Sequence, residues 1–205
     1  MSPARALAAL VIVAALAALL LAGLDATTRE RIARNEAQKL VATLQAVLPD
    51  NYDNEPHLDR LLVAAPAALG STDVLPVYRA RLDGKPAGLV LTAVAPDGYV
   101  AAIRLLIGVS AAGEITGVRV VSHAETPGLG DGIELARSNW ILAFDGRDAG
   151  SATADWALRR DGGDFDQLTG ATITSRAVLH AVRRALDYYR ENRDELYALA
   201  ATDTA

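Results

Sequence analysis

The segment Asp166-Gln167-Leu168-Thr169-Gly170-Ala171-Thr172-Ile173-Thr174-Ser175 places small and hydroxyl-bearing residues immediately ahead of a run with strong helical periodicity. Glycine and alanine let a ligand approach the backbone closely, and the first turn of a helix offers N–H groups without partners of their own. Together they suit a phosphate. The hydroxyls of Thr172, Thr174 and Ser175 are all points where a covalent bond to such a phosphate could form, and local chemistry does not choose among them. The same spacing fits an ordinary N-cap, with Asp166 or a threonine satisfying the first turn.

Upstream lies Ser122-His123-Ala124-Glu125-Thr126-Pro127-Gly128-Leu129-Gly130-Asp131-Gly132. A proline followed by two closely spaced glycines supplies a rigid turn whose backbone donors are free for a planar ligand, although a plain surface turn after a strand has the same composition. Taken together, the two segments resemble the FMN-binding domain shared by the G subunit of the Rnf (Rsx) ion-translocating oxidoreductase complex and the C subunit of the sodium-pumping NADH:quinone reductase. The resemblance runs through nearly the whole chain, and the length favours the Rnf branch.

The resemblance implies an attachment motif Asp-x-x-(Ser/Thr)-Gly-Ala-Thr, which Asp166, Thr169, Gly170, Ala171 and Thr172 fill at every position. Thr172 is then the residue esterified to the FMN phosphate, and Glu125, Thr126, Gly128 and Leu129 contact the flavin. A magnesium-dependent flavin transferase that takes FMN from FAD is implied, because nothing beside Thr172 resembles a self-activating base. Asp166 is either part of that enzyme's recognition signal or a helix cap. The implied role is an electron carrier in a complex that couples electron transfer between ferredoxin and NAD to ion translocation. In the Rsx form, the complex keeps a redox-sensing regulator reduced. The other subunits of the complex are the partners, and this chain alone does not complete a turnover, so no catalytic residue is assigned. Two other readings remain: a free-standing FMN sensor or reductase domain tethered to a membrane, and a periplasmic scaffold without flavin.

Composition narrows the field independently. A formal charge of −5 and the absence of a basic stripe argue against nucleic acid. With no cysteine, disulfides, thiolate metal sites and iron–sulfur clusters are excluded from this chain, so redox chemistry must come from a bound organic cofactor. His57, His123 and His180 are far apart and unpaired in spacing, so no metal site is expected. No role is expected for His123. Trp140 and Trp156 suit either a flavin stack or the core.

Residues 6–24 form an uncharged run of mostly Ala, Leu, Val and Ile, roughly 28 Å long as a helix and so able to span a bilayer. A cleaved signal peptide would have a shorter apolar core and a better cleavage site than Ala22-Gly23-Leu24-Asp25-Ala26. A retained anchor in the cell inner membrane is expected, with residues 1–5 cytoplasmic. Arg29, Arg31, Arg34 and Lys39 on the far side run against the positive-inside rule, which is weak for a long following domain. The resemblance instead places the large domain in the periplasm.

Residues 25–50 read as a stalk-like helix, with Thr27 or Thr28 as N-cap and Pro49 as the stop. Residues 51–205 read as the FMN-binding domain. Within it, 51–76 is an irregular connection with one short helix. The runs 77–82, 87–94, 99–109 and 114–122 are β-rich and separated by good hairpin turns, giving a four-stranded antiparallel meander. A short helix capped by Asp131 follows, then a loop around Trp156, and finally a long amphipathic helix to about Leu199. The fold class is α+β: one transmembrane helix, then an antiparallel sheet packed with helices.

Overall fold

The computed structural model describes residues 2–148 and 155–198. The chain divides into two compact units, one up to Val41 and one from Ala42 onward. Helix α1, Pro3–Gln45, is continuous where the sequence suggested a membrane helix and a separately capped stalk. No cap forms at the expected joint. Thr28 does not cap; its Oγ1 donates back to the Leu24 carbonyl at 2.6 Å, and Arg29 pairs with Asp25 one turn earlier at 2.8 Å. Both contacts are compatible with an unbroken helix, and the ion pair favours it. Its first part, Pro3–Asp25, is long and apolar enough to cross a membrane, and Leu10, Leu19 and Leu20 there are exposed.

The second unit is built on a five-stranded antiparallel meander in sequence order. Its strands are β1 (Arg60–Val63), β2 (Leu75–Leu82), β3 (Lys85–Ala95), β4 (Ile103–Ser110) and β5 (Ile115–Ser122). The β2–β3 hairpin closes on Asp83-Gly84, both with positive φ (51° and 73°), the two-residue turn that an Asp-Gly pair favours. Strand β1 was not expected. It is too short to show a period, and contacts that sequence cannot reveal hold it at the edge of β2. The Arg79 N–H donates to the Asp59 carbonyl at 2.9 Å, while the Asp59 carboxylate takes Arg79 Nε at 2.7 Å and Arg81 Nε at 2.8 Å. The expected short helix is α2, Pro66–Leu69, ended by Gly70.

Helix α3, Thr172–Ala198, covers one face of the sheet. Ala177, Val178, Ala181, Val182, Ala185 and Leu186 recur at helical spacing and are buried in one core with Leu89, Leu91, Leu105 and Ile107. The other face carries a groove made by glycines. Gly108 and Gly117 are cross-strand partners, and the chain leaving α1 lies against them so closely that a Cβ on Gly108 would stand 1.8 Å from the Val47 carbonyl oxygen. Thr116 Oγ1 donates to that same oxygen, and Pro49 rests on Gly88. Leu44, Val47 and Leu48 are thereby buried. Helix α1 ends at Gln45, four residues before Pro49, and a turn follows in which the Leu48 N–H bonds to the Leu44 carbonyl at 3.0 Å.

Candidate functional site

The two sequence segments meet. A cleft of about 340 Å³ is lined by Tyr99 from the β3–β4 turn, by Glu125, Thr126, Leu129 and Gly130 from the loop after β5, and by residues 170–174 at the start of α3. That volume falls in the range of small-molecule sites.

Each wall is set by a turn that needs its glycine. Thr126-Pro127-Gly128-Leu129 closes with the Leu129 N–H on the Thr126 carbonyl at 3.2 Å, and Gly128 takes φ 79°. Proline second and glycine third is the type II pattern. Gly128 thus shapes the wall without lining the cleft, while Leu129 lines it. Opposite, Ala171 N–H bonds to the Leu168 carbonyl at 3.0 Å, with Gly170 at φ 77°. A Cβ on Gly170 would stand 2.9 Å from Leu129 Cδ2, so the two turns pack directly against each other.

Several expected caps take other roles. Asp131 accepts the Gly128 N–H at 2.7 Å and so braces the first turn. The expected helix after it is two 3-10 turns, Gly130–Ile133 and Asn139–Phe144, the second capped by Ser138. Asp166 does not cap α3, which starts six residues later. Its exposed carboxylate pairs with Arg159 at 3.0 Å. Thr169 is exposed on the second turn, outside the cleft lining. Arg176 turns away to a bidentate pair with Asp161, both contacts at 2.8 Å.

The three hydroxyls at the start of α3 are not equivalent. Ser175 Oγ donates to the Ala171 carbonyl and accepts the Leu168 N–H, both at 3.0 Å, and is fully buried. Thr174 Oγ1 donates to Glu125 Oε2 at 2.5 Å, also buried. Thr172 is half-buried, lines the cleft, and has no hydrogen-bond partner for its hydroxyl among the described residues. As the first residue of the helix it sits among unpaired N–H groups at the positive end of the dipole.

Glu125 joins these parts. The residue is 4% exposed, and its carboxylate accepts the Val100 N–H at 3.1 Å as well as the Thr174 hydroxyl. The loop is further fixed by His123, to which the sequence assigned no role. Nδ1 accepts the Glu125 N–H at 3.0 Å, so the ring proton is on Nε2 and is donated to Glu134 at 2.8 Å. Sequence reasoning also missed Tyr99, because the apolar run 99–109 read as one strand. The strand starts at Ile103, and residues 96–102 form the turn that brings Tyr99 to the cleft. Gly98 is required there, since a Cβ would meet the Ala101 carbonyl oxygen at 2.0 Å.

Trp156 belongs to the core, and Trp140 packs against it. Phe144 packs on Phe165 at 4.9 Å and edge-on to Trp140 at 5.5 Å, and Trp156 packs on Phe165 at 5.4 Å. Burial raises the pKa of Tyr78, Tyr188 and Tyr197, and none of these lines the cleft.

A helix start with free donors, two glycine turns that keep the entrance open, a free hydroxyl between them and apolar walls together suit a phosphate carrying a planar aromatic group. This suits a site for flavin mononucleotide, and residues 98–187 match the family model of the FMN-binding domain. The chain belongs to the family of G subunits of ion-translocating oxidoreductase complexes. It is 50% identical over 175 residues to the G subunit from Pseudomonas aeruginosa strain UCBPP-PA14, covering 83% of this chain and 81% of that protein. It is 45% identical over 176 residues to its counterpart from Aliivibrio fischeri MJ11 (85% and 84%). With the counterpart from Vibrio cholerae M66-2 it is 40% identical over 173 residues (84% and 83%).

Proposed function

We propose that this chain is the electron-carrier subunit of a membrane-bound ion-translocating ferredoxin/NAD oxidoreductase complex, carrying FMN esterified through its phosphate to Thr172. The observation that carries the attachment site is the state of the hydroxyls: Thr174 and Ser175 are committed to buried hydrogen bonds, and Thr172 faces the cleft unbonded. FMN supplies one-electron redox chemistry when bound. The chain supplies placement, through the N–H groups of the first turn of α3 at the phosphate and through Glu125, Thr126 and Leu129 along the cleft. The helix end favours the remaining phosphodiester charge by about 0.3–1 kcal/mol.

Attachment requires a separate flavin transferase. The Thr172 hydroxyl oxygen bonds to the FMN-side phosphorus of FAD, the pyrophosphate P–O bond breaks, AMP leaves, and the hydroxyl proton passes to a base of the transferase. Asp166 fits its recognition signal: the carboxylate is exposed near the attachment turn and caps no helix. The layout that goes with this reading is a cytoplasmic end at residues 1–5, an inner-membrane helix at 6–24, a stalk over 25–50 and a periplasmic domain over 51–205. The other subunits of the complex are its electron-transfer partners.

The test is the intact mass of the chain produced with active flavin transferase. An increase equal to FMN less one water, lost in Thr172→Val and kept in Thr174→Val, is expected. An unmodified wild-type chain overturns the reading. A reporter fused after Ala205 that is active only in the cytoplasm overturns the orientation.

A further inference from the structure

Three large apolar side chains from three separate segments line the cleft and stand exposed: Tyr99 (66%), Leu129 (48%) and Ile173 (51%). Scattered singly, such residues need no explanation; gathered at one mouth they mark a surface that something covers. Two observations single out Tyr99. Its turn is rigid, because Gly98 lies against the Ala101 carbonyl and the Val100 N–H is bound to Glu125. The same carboxylate holds Thr174, two residues beyond Thr172, so the turn bearing Tyr99 and the start of α3 are fixed to one group.

We infer that Tyr99 is the aromatic wall against which the isoalloxazine ring of a flavin tethered at Thr172 rests, with Leu129 and Ile173 completing the apolar rim. This rests on the FMN reading above. An exposed phenol ring loses little by leaving water, and face contact with a second aromatic system is an interaction its shape and quadrupole favour. The occupant is the ring of the tethered cofactor, since these apolar groups line the same cleft as the free hydroxyl.

The experiment uses the full chain purified in detergent after co-expression with the transferase, comparing wild type, Tyr99→Leu and Tyr99→Trp. Attached FMN is counted by intact mass and flavin emission is read per attached flavin. Tyrosine and tryptophan in contact with a flavin quench its emission. Tyr99→Leu is therefore expected to raise emission by about twofold or more, and Tyr99→Trp to keep or deepen the quenching. The residue's exposure makes a folding failure a poor excuse, and an unchanged thermal midpoint confirms that. Equal emission from all three chains, each carrying FMN, overturns the role of Tyr99 and leaves the carrier reading standing. A wild-type chain that never gains FMN overturns both.

Discussion

Thr174 Oγ1 and Glu125 Oε2 are joined by a buried 2.5 Å hydrogen bond between residues 49 apart in sequence. It ties the helix that begins at Thr172 to the loop after β5. The second oxygen of the same carboxylate ties in the β3–β4 turn through Val100. Glu125→Ala leaves a buried hydroxyl and a part-buried N–H unpaired, at a cost of about 1–3 kcal/mol in urea unfolding. Glu125→Gln keeps an acceptor and a donor in place and should cost less than half of that. Equal losses in the two variants would mean that charge, not hydrogen bonding, holds the three segments.

Asp166→Asn separates recognition from stability. Its carboxylate and its partner Arg159 are 68% and 67% exposed, so the change should shift unfolding by no more than about 0.5 kcal/mol. Flavin incorporation, measured by intact mass at limiting transferase, should nonetheless fall. Full incorporation at an unaltered rate would remove Asp166 from the recognition signal.

Gly170→Ala acts on the turn in front of Thr172. The added methyl meets Leu129 and the residue must hold φ 77°, a conformation that alanine resists. A loss of about 1–2 kcal/mol is expected. Leu129→Ala combined with it should recover only the part due to the clash, which a double-mutant cycle reads directly.

Gly108→Ala tests the groove on the opposite face of the sheet. A methyl 1.8 Å from a carbonyl oxygen cannot be accommodated without moving the backbone of residues 46–48. Destabilisation should reach about 3 kcal/mol or more. Gly146→Ala, where a Cβ meets nothing within 4 Å but φ is 75°, provides a control limited to backbone strain.

Tyr197 gives the domain an alkaline limit. Burial, reinforced by the neighbouring Tyr189 phenol, holds its hydroxyl well above the ordinary value of 10.0. Because the folded-state pKa is raised, the associated stability is complete below pH 10 and is lost as pH rises above it, where only the unfolded chain releases the proton. Tyr197→Phe should therefore lose about 1 kcal/mol less per pH unit above about pH 10 than wild type does. Parallel stability curves for the two chains would show that this tyrosine is not the group involved.

The parts of the fold that sequence made legible are those whose signal is periodic or local. Helix α3 shows in the spacing from Ala177 to Tyr189, and the β2–β3 hairpin shows in Asp83-Gly84. What escaped depends on contacts distant in sequence. Strand β1 is held by Asp59, which is gripped by two arginines of β2, and at Thr28, where a cap was expected, the hydroxyl bonds backwards within a continuous α1. At the site, the residue types of both segments were visible, but the distribution of hydroxyl hydrogen bonds was not. Tyr99 was hidden inside an apolar run whose first residues turned out to be a turn, and His123 acquires a role only once Glu134 lies beside it.

The committed hydroxyls of Thr174 and Ser175 also bear on the order of events that the proposed attachment would follow. An unfolded chain exposes three neighbouring alcohols that a phosphoryl donor would meet on equal terms, whereas the completed domain withholds two of them. If Thr172 carries the proposed ester, the selectivity of that modification is decided by folding. A maturation enzyme that acts after the domain has formed has no need to discriminate among adjacent side chains.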